Sequence, residues 1–486
     1  MTSHDQPWTI TYTIPRGWGD PSFDPLDSDS VANAAHMEQL IGTLVRIGSN
    51  GNHEPYLASN WSESEGSKYW TFRIAPGRSC SDGTLIDAVA FVESFRTVLR
   101  LYSLSSEPPV FNQLVGWSNF LDGDDSAIGI RATDRDEIAF EFAHEPRAGF
   151  LQMLSMPYFG FWCRANFEKG KWKQGSSIVS SGAYELKELR DDKTIVMTKR
   201  TTLRNGDGGP TTVEVRRVSK LEAISAPACR TINHIVLTGD EKVPAEWQRL
   251  VGAPTNLIGL AFGIRENSPF GDARVRRFIQ QRVLASLPQS IVGSYSPAGS
   301  FYFDSTTPGN SSVANEPLPR VPFEGVLKIL SGPQKDKSPI VERIERMLIP
   351  VLNELGIPYE IVGLDPSAPD YMKRYTSNEE WHLRLFSVDV GTYPKNWVVR
   401  FMFCSNLGIN LPDPSERILE LVDGYDQRAF PQVEYAQRFE SILREEAFVI
   451  PLFHVRQTWL YSGDLDLSRV STAVDIPAFE LVGLKG

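Results

Sequence analysis

The stretch Leu40–Leu101, LIGTLVRIGSNGNHEPYLASNWSESEGSKYWTFRIAPGRSCSDGTLIDAVAFVESFRTVLRL, decides the fold class. A short apolar run from Leu40 to Ile47 meets a turn at Ser49-Asn50-Gly51-Asn52, where Asn-Gly favours positive φ. Tyr69-Trp70-Thr71-Phe72-Arg73-Ile74 then alternates bulky with polar residues, the period of a half-buried strand. Asp82-Gly83 makes a turn, and Asp87 is placed to cap a helix with the stripe Val89, Val92, Phe95, Val98/Leu99 and Tyr102. Strand, turn and amphipathic helix in one run predict a mixed α/β protein.

Working outward, Trp8–Ile14 alternates as a strand, and Phe23-Asp24-Pro25-Leu26-Asp27 turns ahead of a helix over 31–42, with Asp29 or Ser30 as its cap. Ile138–Phe142, the hairpin Ser181–Thr198, Ile232–Leu237 and Leu257–Ile264 read as further strands. Val326–Leu330, the helix Pro339–Leu355 closed by Gly356, and Tyr359–Val362 form a β-α-β unit whose strands should be parallel. Pro350 inside that helix predicts a kink or split. Trp381–Val390 is another strand, and helices follow at Pro414–Val422 and Gln432–Glu446. A Ser/Pro/Gly-rich stretch over 288–322 predicts a long loop.

At 486 residues the chain exceeds one hydrophobic core. A net charge of −11 without any lysine-arginine block lacks the electrostatic footprint of a nucleic-acid binder. No run approaches the ~18 apolar residues of a membrane span. Met1–Gln6 has neither a basic start nor an apolar core of a signal segment, which leaves a cytoplasmic protein or one whose signal segment was removed. Four cysteines (Cys80, Cys163, Cys229, Cys404) allow up to two disulfides in three pairings, or four buried thiols.

Catalytic motifs are missing. No Gly-x-Ser-x-Gly, His-Glu-x-x-His or Gly-x-x-x-x-Gly-Lys occurs, and the seven histidines are scattered. Asp122-Gly123-Asp124-Asp125 lacks the spacing of a calcium loop and reads as a solvated turn. Asn205–Pro210 is glycine-rich, yet no lysine-serine/threonine pair follows, so it reads as a loop. The arginines of Pro269–Arg277 read as a solvated or ion-paired helix face. No enzyme, cofactor or metal is expected.

The same residues resemble the peptide- and nickel-binding class (family 5) of extracellular solute-binding proteins that serve ABC importers. The resemblance rests on Leu44, Pro55–Trp61, Trp70–Ile74, Pro76-Gly77, Ser81–Thr84, Ala88–Phe91 and Ser94, and continues through Ser181–Leu186, Pro269–Arg277 and Phe448–Phe453. It implies an α/β fold of two lobes, of the type II periplasmic-binding-protein class with the extra subdomain of large peptide binders. Lobe I would take 1–255 and 455–486, with an inserted subdomain at about 46–165, and lobe II 256–454. Two crossover strands would let the lobes close on a ligand by hinge motion. A peptide would pair through its main chain, and Asp389 would hold its α-ammonium. Trp397, Tyr393 and Trp381 would line side-chain pockets, Arg384 would meet a carboxylate, and Phe262 and Ser28 would border the cleft. The implied function is a monomeric periplasmic or membrane-anchored extracellular receptor that captures a di- or oligopeptide and delivers it to an ABC transporter permease. The alternatives are a cytoplasmic ligand-sensing module of the same fold, or a receptor for a nickel chelate or oligosaccharide.

Overall fold

A computed structural model describes residues 7–16, 20–25, 31–103, 110–144, 146, 149–168, 171–173, 177–200, 209–237, 239, 241–264, 268–288, 290–298, 300–302, 323–331, 339–364, 381–391, 398–399, 402–403, 416–427, 432–474 and 476–485. The chain divides into two compact units. Unit 1 comprises Met1–Ile235, Lys242–Ala253 and Gln457–Gly486; unit 2 comprises Val236–Glu241 and Pro254–Arg456. Two long strands, Trp247–Phe262 and Val449–Ser462, each have residues in both units.

In unit 1 the strand Thr9–Pro15 lies between Thr212–Val218 and Thr231–Ile235 and runs parallel to both, with Tyr12 opposite Val215 and Ile232. The hairpin Tyr184–Leu189 and Ile195–Lys199 extends the sheet on one side, and the end of Val449–Ser462 pairs with Thr231–Ile235 on the other. Ile10, Tyr12 and Ile14 are buried on one face, in a core shared with Met37, Leu40, Trp162, Trp459 and Phe479. The alternation read at Trp8–Ile14 is therefore a core strand.

A second, antiparallel sheet within unit 1 has the order Ala58–Glu63, Tyr69–Ile74, Glu137–Glu141, Ile130–Ala132. Trp70, Phe72 and Ile74 point inward from it, and Phe72, Phe140 and Phe150 meet edge to face at 5.2–6.1 Å between ring centres. Asp87 caps the helix Ala88–Ser103, its Oδ1 accepting from Ala90 N at 2.9 Å. The buried stripe differs from the expected one. It runs through Ala88, Phe91, Val92, Phe95, Val98 and Leu99, while Val89 is 54% exposed. Phe91 wins because it stacks between Phe95 (5.7 Å) and Phe161 (6.0 Å), a larger apolar surface than a valine offers.

Cys80 and Cys163, both buried, form a disulfide; Cys229 is free and exposed, and Cys404 lies outside the described residues. The turn that carries Cys80 is pinned on several sides. Arg78 donates to Tyr56 O at 2.7 Å, Arg200 donates to Ser79 O and to Gly182 O, and Ser81 N donates to Ser180 O at 2.8 Å. Gly83 holds φ = 86° at its tip, where Thr84 N donates to Asp82 Oδ1.

In unit 2 the strand Leu383–Asp389 is antiparallel to residues 256–262 of one long strand and parallel to Leu327–Ser331, which is parallel in turn to Tyr359–Gly363. Helices cover both faces. Ala273–Ala285 and Pro339–Glu354 pack over Leu260, Phe262, Ile329 and Leu383, while Glu416–Gln427 and Gln432–Glu446 pack over Leu257, Phe386 and Val388. Pro350 does not split its helix, which runs as one element to Glu354. The proline is exposed, and its neighbours Ile344, Met347, Leu348, Val351 and Leu352 hold the apolar face in the core. Asp272 caps Ala273–Ala285. Arg276 and Arg277, expected to be solvated or ion-paired, donate instead to Glu446 O and Glu445 O, closing the C-terminus of the helix Gln432–Glu446. The stretch read as a loop over 288–322 contains the short strand Tyr295–Pro297; residues 303–322 lie outside the described residues.

Candidate ligand-binding site

The site builds from the end of the strand Leu383–Asp389. Asp389 pairs in register with Asn256, the third residue of unit 2 after the crossover at Ala253–Pro254. Immediately beyond it the chain is drawn hard against the crossing strand: Val390 N and Gly391 N donate to Thr255 O at 2.7 and 2.9 Å. A Cβ on Gly391 would stand 2.8 Å from both Pro254 O and Thr255 Cα, so only glycine permits this approach. Gly391 N also donates to Asp389 Oδ1 at 3.0 Å, which orients the half-buried carboxylate at the strand terminus. Two main-chain bonds thus hold residues 390–391 to Thr255, and a third, from Gly391 N, fixes the Asp389 carboxylate close to the crossover.

Trp381 and Arg384 form a separate cluster. Both are fully buried, and the Arg384 guanidinium lies 4.6 Å from the Trp381 ring centre, a cation–π stack. Trp381 packs against Leu330 and Leu364. Arg384 stands opposite Ala261 and Leu330 in the sheet. It therefore sits five residues from Asp389 along one strand, about 16 Å at ~3.3 Å per residue. Alternation also puts Arg384 on the face of Phe386 and Val388, and Asp389 on the face of Leu385 and Ser387. One small ligand cannot engage both side chains. Phe262, opposite Leu383, is fully buried against Phe270 at 4.7 Å, and its side chain serves the unit 2 core. Ser28, Tyr393 and Trp397 lie outside the described residues.

Among the described residues, no group of three or more His, Cys, Asp or Glu is placed to hold a metal ion. Several histidines are occupied in structural roles. His36 Nε2 meets Ser22 O at 2.8 Å, His454 Nε2 meets Ser300 O at 3.0 Å, and His382 Nδ1 accepts from Lys328 N at 3.0 Å. His234 bridges Tyr12 Oη (2.9 Å) and Gln457 Oε1 (2.5 Å). With the amide oxygen as acceptor, Nε2 carries the proton and Tyr12 donates to Nδ1. Burial pushes His36 and His234 down to about 4, so both are neutral at pH 7. Asp124 of the acidic turn accepts from Ser126 N and Oγ, and Asp125 pairs with Arg100, which leaves the turn saturated by its own neighbours. Among the described residues, no helix is long and apolar enough to cross a membrane.

Sequence reasoning missed the surroundings of Asp389: Gly391, whose N–H meets its carboxylate, and Pro254 and Thr255, against which Val390 and Gly391 are held. Their signal was weak but present: a glycine right after a strand and a Gly-Ala-Pro-Thr break inside a long β-run.

Residues 52–281 match the family described as "Bacterial extracellular solute-binding proteins, family 5 Middle". The periplasmic oligopeptide-binding protein OppA of Salmonella typhimurium is 25% identical over 272 residues, 52% of this chain and 49% of that protein. The dipeptide-binding protein DppE of Bacillus subtilis is 25% identical over 189 residues, 38% of this chain and 35% of that one. The matched stretches thus span about half or less of these curated relatives. In structure, the murein tripeptide binding protein MppA of Escherichia coli superposes with a TM-score of 0.78 at 16% identity, covering 99% of each chain. That likeness is one of fold: an α/β periplasmic-binding-protein architecture. Over residues 52–281 the chain is therefore similar to the family 5 extracellular solute-binding proteins.

Proposed function

We propose that the chain is the solute receptor of an ABC importer, capturing a short peptide by hinge closure and passing it to the membrane permease. The observation that carries this reading is the carboxylate of Asp389, held by Gly391 N and set close to the crossover at Ala253–Pro254. A carboxylate fixed at a chain crossing selects a free α-ammonium by a charge-assisted bond, and hinge bending there alters its surroundings most directly. Relatives named for oligopeptide and dipeptide binding support the ligand class. Work outside the cytoplasm is supported by the Cys80–Cys163 disulfide, a bond that persists in oxidising compartments. Binding in place of catalysis is supported by the structural occupation of His36, His234, His382 and His454. Tyr393 and Trp397 remain proposed pocket residues, and the receptor is proposed to act as a monomer.

The test is calorimetry with peptides recovered from the purified protein and identified by mass spectrometry. Asp389→Ala should weaken a free-amine peptide by about 2–5 kcal/mol, the cost of breaking a desolvated charge pair, and should leave its N-acetylated form unaffected. Equal losses for both forms would remove the amine-anchor role.

A further inference from the structure

We propose that a groove on unit 2, between the helices Ala273–Ala285 and Pro339–Glu354, docks an acidic segment of a partner protein that carries apolar residues on either side of its carboxylates. Two adjoining recesses make up the groove. One, of about 550 Å³, is lined by Arg282, Ser286, Arg343, Arg346, Met347 and Glu354 among others. The second, of about 360 Å³, shares Arg343 and Arg346 and has Tyr295, Ile340 and Phe453 in its lining. Three arginines against one glutamate give the larger recess a formal charge of +2, on a chain whose net charge is −11. The groove therefore presents local positive charge to an anionic partner.

Two of the arginines already hold carboxylates, in the geometry an incoming acid would use. Arg282 meets Glu354 at 2.9 Å and Arg346 meets Glu342 at 3.1 Å, both solvent-exposed pairs that exchange readily. Arg343 differs. It is half-buried between the core residues Ile340, Ile344 and Met347, belongs to both recesses, and has no ion-pair or hydrogen-bond partner among the described residues. A guanidinium kept partly out of water with no acceptor among the described residues is set to take a carboxylate in its planar fork.

The flanking shapes select a chain segment over a small ion. Each recess has apolar side chains beside the shared arginines: Ala285, Met347 and Val351 in one, Ile340 and Phe453 in the other. An inorganic anion would fill only the centre. A segment with an acidic residue between apolar ones fills all three positions, which is how arginine clusters read acidic motifs. This inference is independent of the role of Asp389.

The experiment uses the full chain and a fluorescein-labelled peptide, acetylated and amidated at its ends, with a glutamate pair flanked by leucines. A glutamine-for-glutamate version is the control. Fluorescence anisotropy should show binding of the glutamate probe that weakens with added salt, with the glutamine probe at least tenfold weaker. Arg343→Glu should lose at least tenfold and Arg343→Gln several-fold at unchanged melting temperature, while Asp389→Ala should bind the probe like the parent chain. The proposal is overturned by no binding of the glutamate probe up to millimolar concentration, by equal binding of both probes, or by no effect of Arg343→Glu. Loss on Asp389→Ala also overturns it, because the probe then occupies the proposed peptide site. Arg343-dependent sedimentation with phosphatidylglycerol vesicles, without probe binding, would assign the groove to a lipid surface and overturn it as well.

Discussion

Removing the Cys80–Cys163 bridge by the double change Cys80→Ala and Cys163→Ala releases a constraint that spans 83 residues of sequence. In the chain-entropy account the cross-link removes about 2.1 plus 1.5R ln n cal/mol/K from the unfolded ensemble. With n set by that span, this gives roughly 4.5 kcal/mol at 25 °C. Strain and residual structure lower the yield in practice, and alanine at two sites that are 2% and 1% exposed leaves small voids without stranding a polar group. The expected destabilisation is therefore about 3–4 kcal/mol, confined to unit 1, which contains both cysteines. Because the chain has two compact units, a single two-state curve is the wrong readout. Hydrogen exchange by mass spectrometry across a urea series follows each unit separately. Peptides of unit 1 should shift to lower urea, those of unit 2 should stay, and the unit 1 m-value should rise as the unfolded chain expands. A shift below about 1 kcal/mol with an unchanged m-value would refute the reasoning, as would a non-reduced digest in which Cys80 and Cys163 are not linked.

Acid stability should track two buried histidines. His36 and His234 titrate near 4 in the folded state against 6.5 when exposed, so the unfolded chain binds more protons between those values. Their contribution is complete above pH 6.5 and lost as pH falls toward 4, about 3 kcal/mol each. Glu480, raised by burial, works in the opposite sense. Urea midpoints of unit 1 at pH 7 and pH 4.5 check the slope, and identical midpoints would contradict it. Gly391→Ala forces a Cβ to within 2.8 Å of Pro254 O and Thr255 Cα, so it should cost about 1–3 kcal/mol of unit 2 stability. It should also weaken the proposed peptide binding by displacing Asp389; calorimetry showing parental affinity at parental stability would mean the turn is not held as described.

Local chemistry made much of the fold legible. Tyr69–Ile74 is a strand because its bulky and polar residues alternate, and Asp87 caps its helix because aspartate outcompetes water for the first amides. Periodicity failed where two residues competed for one stripe. Val89 fits the helical repeat, but Phe91 is buried because its aromatic partner Phe161 arrives from 70 residues away. Pro350 broke a local rule without breaking the helix, because a row of core contacts supports the turn on either side. The disulfide pairing was beyond composition: four cysteines permit three pairings, and only the fold brings Cys80 to Cys163.

The candidate site shows the same division more sharply. Asp389 was singled out as the carboxylate at the end of a strand, and its identity was in the sequence; its support was not. Thr255 accepts from Val390 and Gly391 across more than a hundred residues of intervening chain, and no local pattern encodes that meeting. Strand parity, by contrast, was available from the start. In a strand running from Leu383 to Asp389, residues 384 and 389 fall on opposite faces, so Arg384 and Asp389 were never candidates for one subsite. Applied to a ligand, that parity assigns the two residues different work. Arg384 is stacked on Trp381 inside unit 2, at the sheet end remote from the crossover, while Asp389 stands at the crossover end, where the proposed ligand role would use it. Changes at Arg384 should therefore act through the stability of unit 2, and changes at Asp389 through affinity at constant stability.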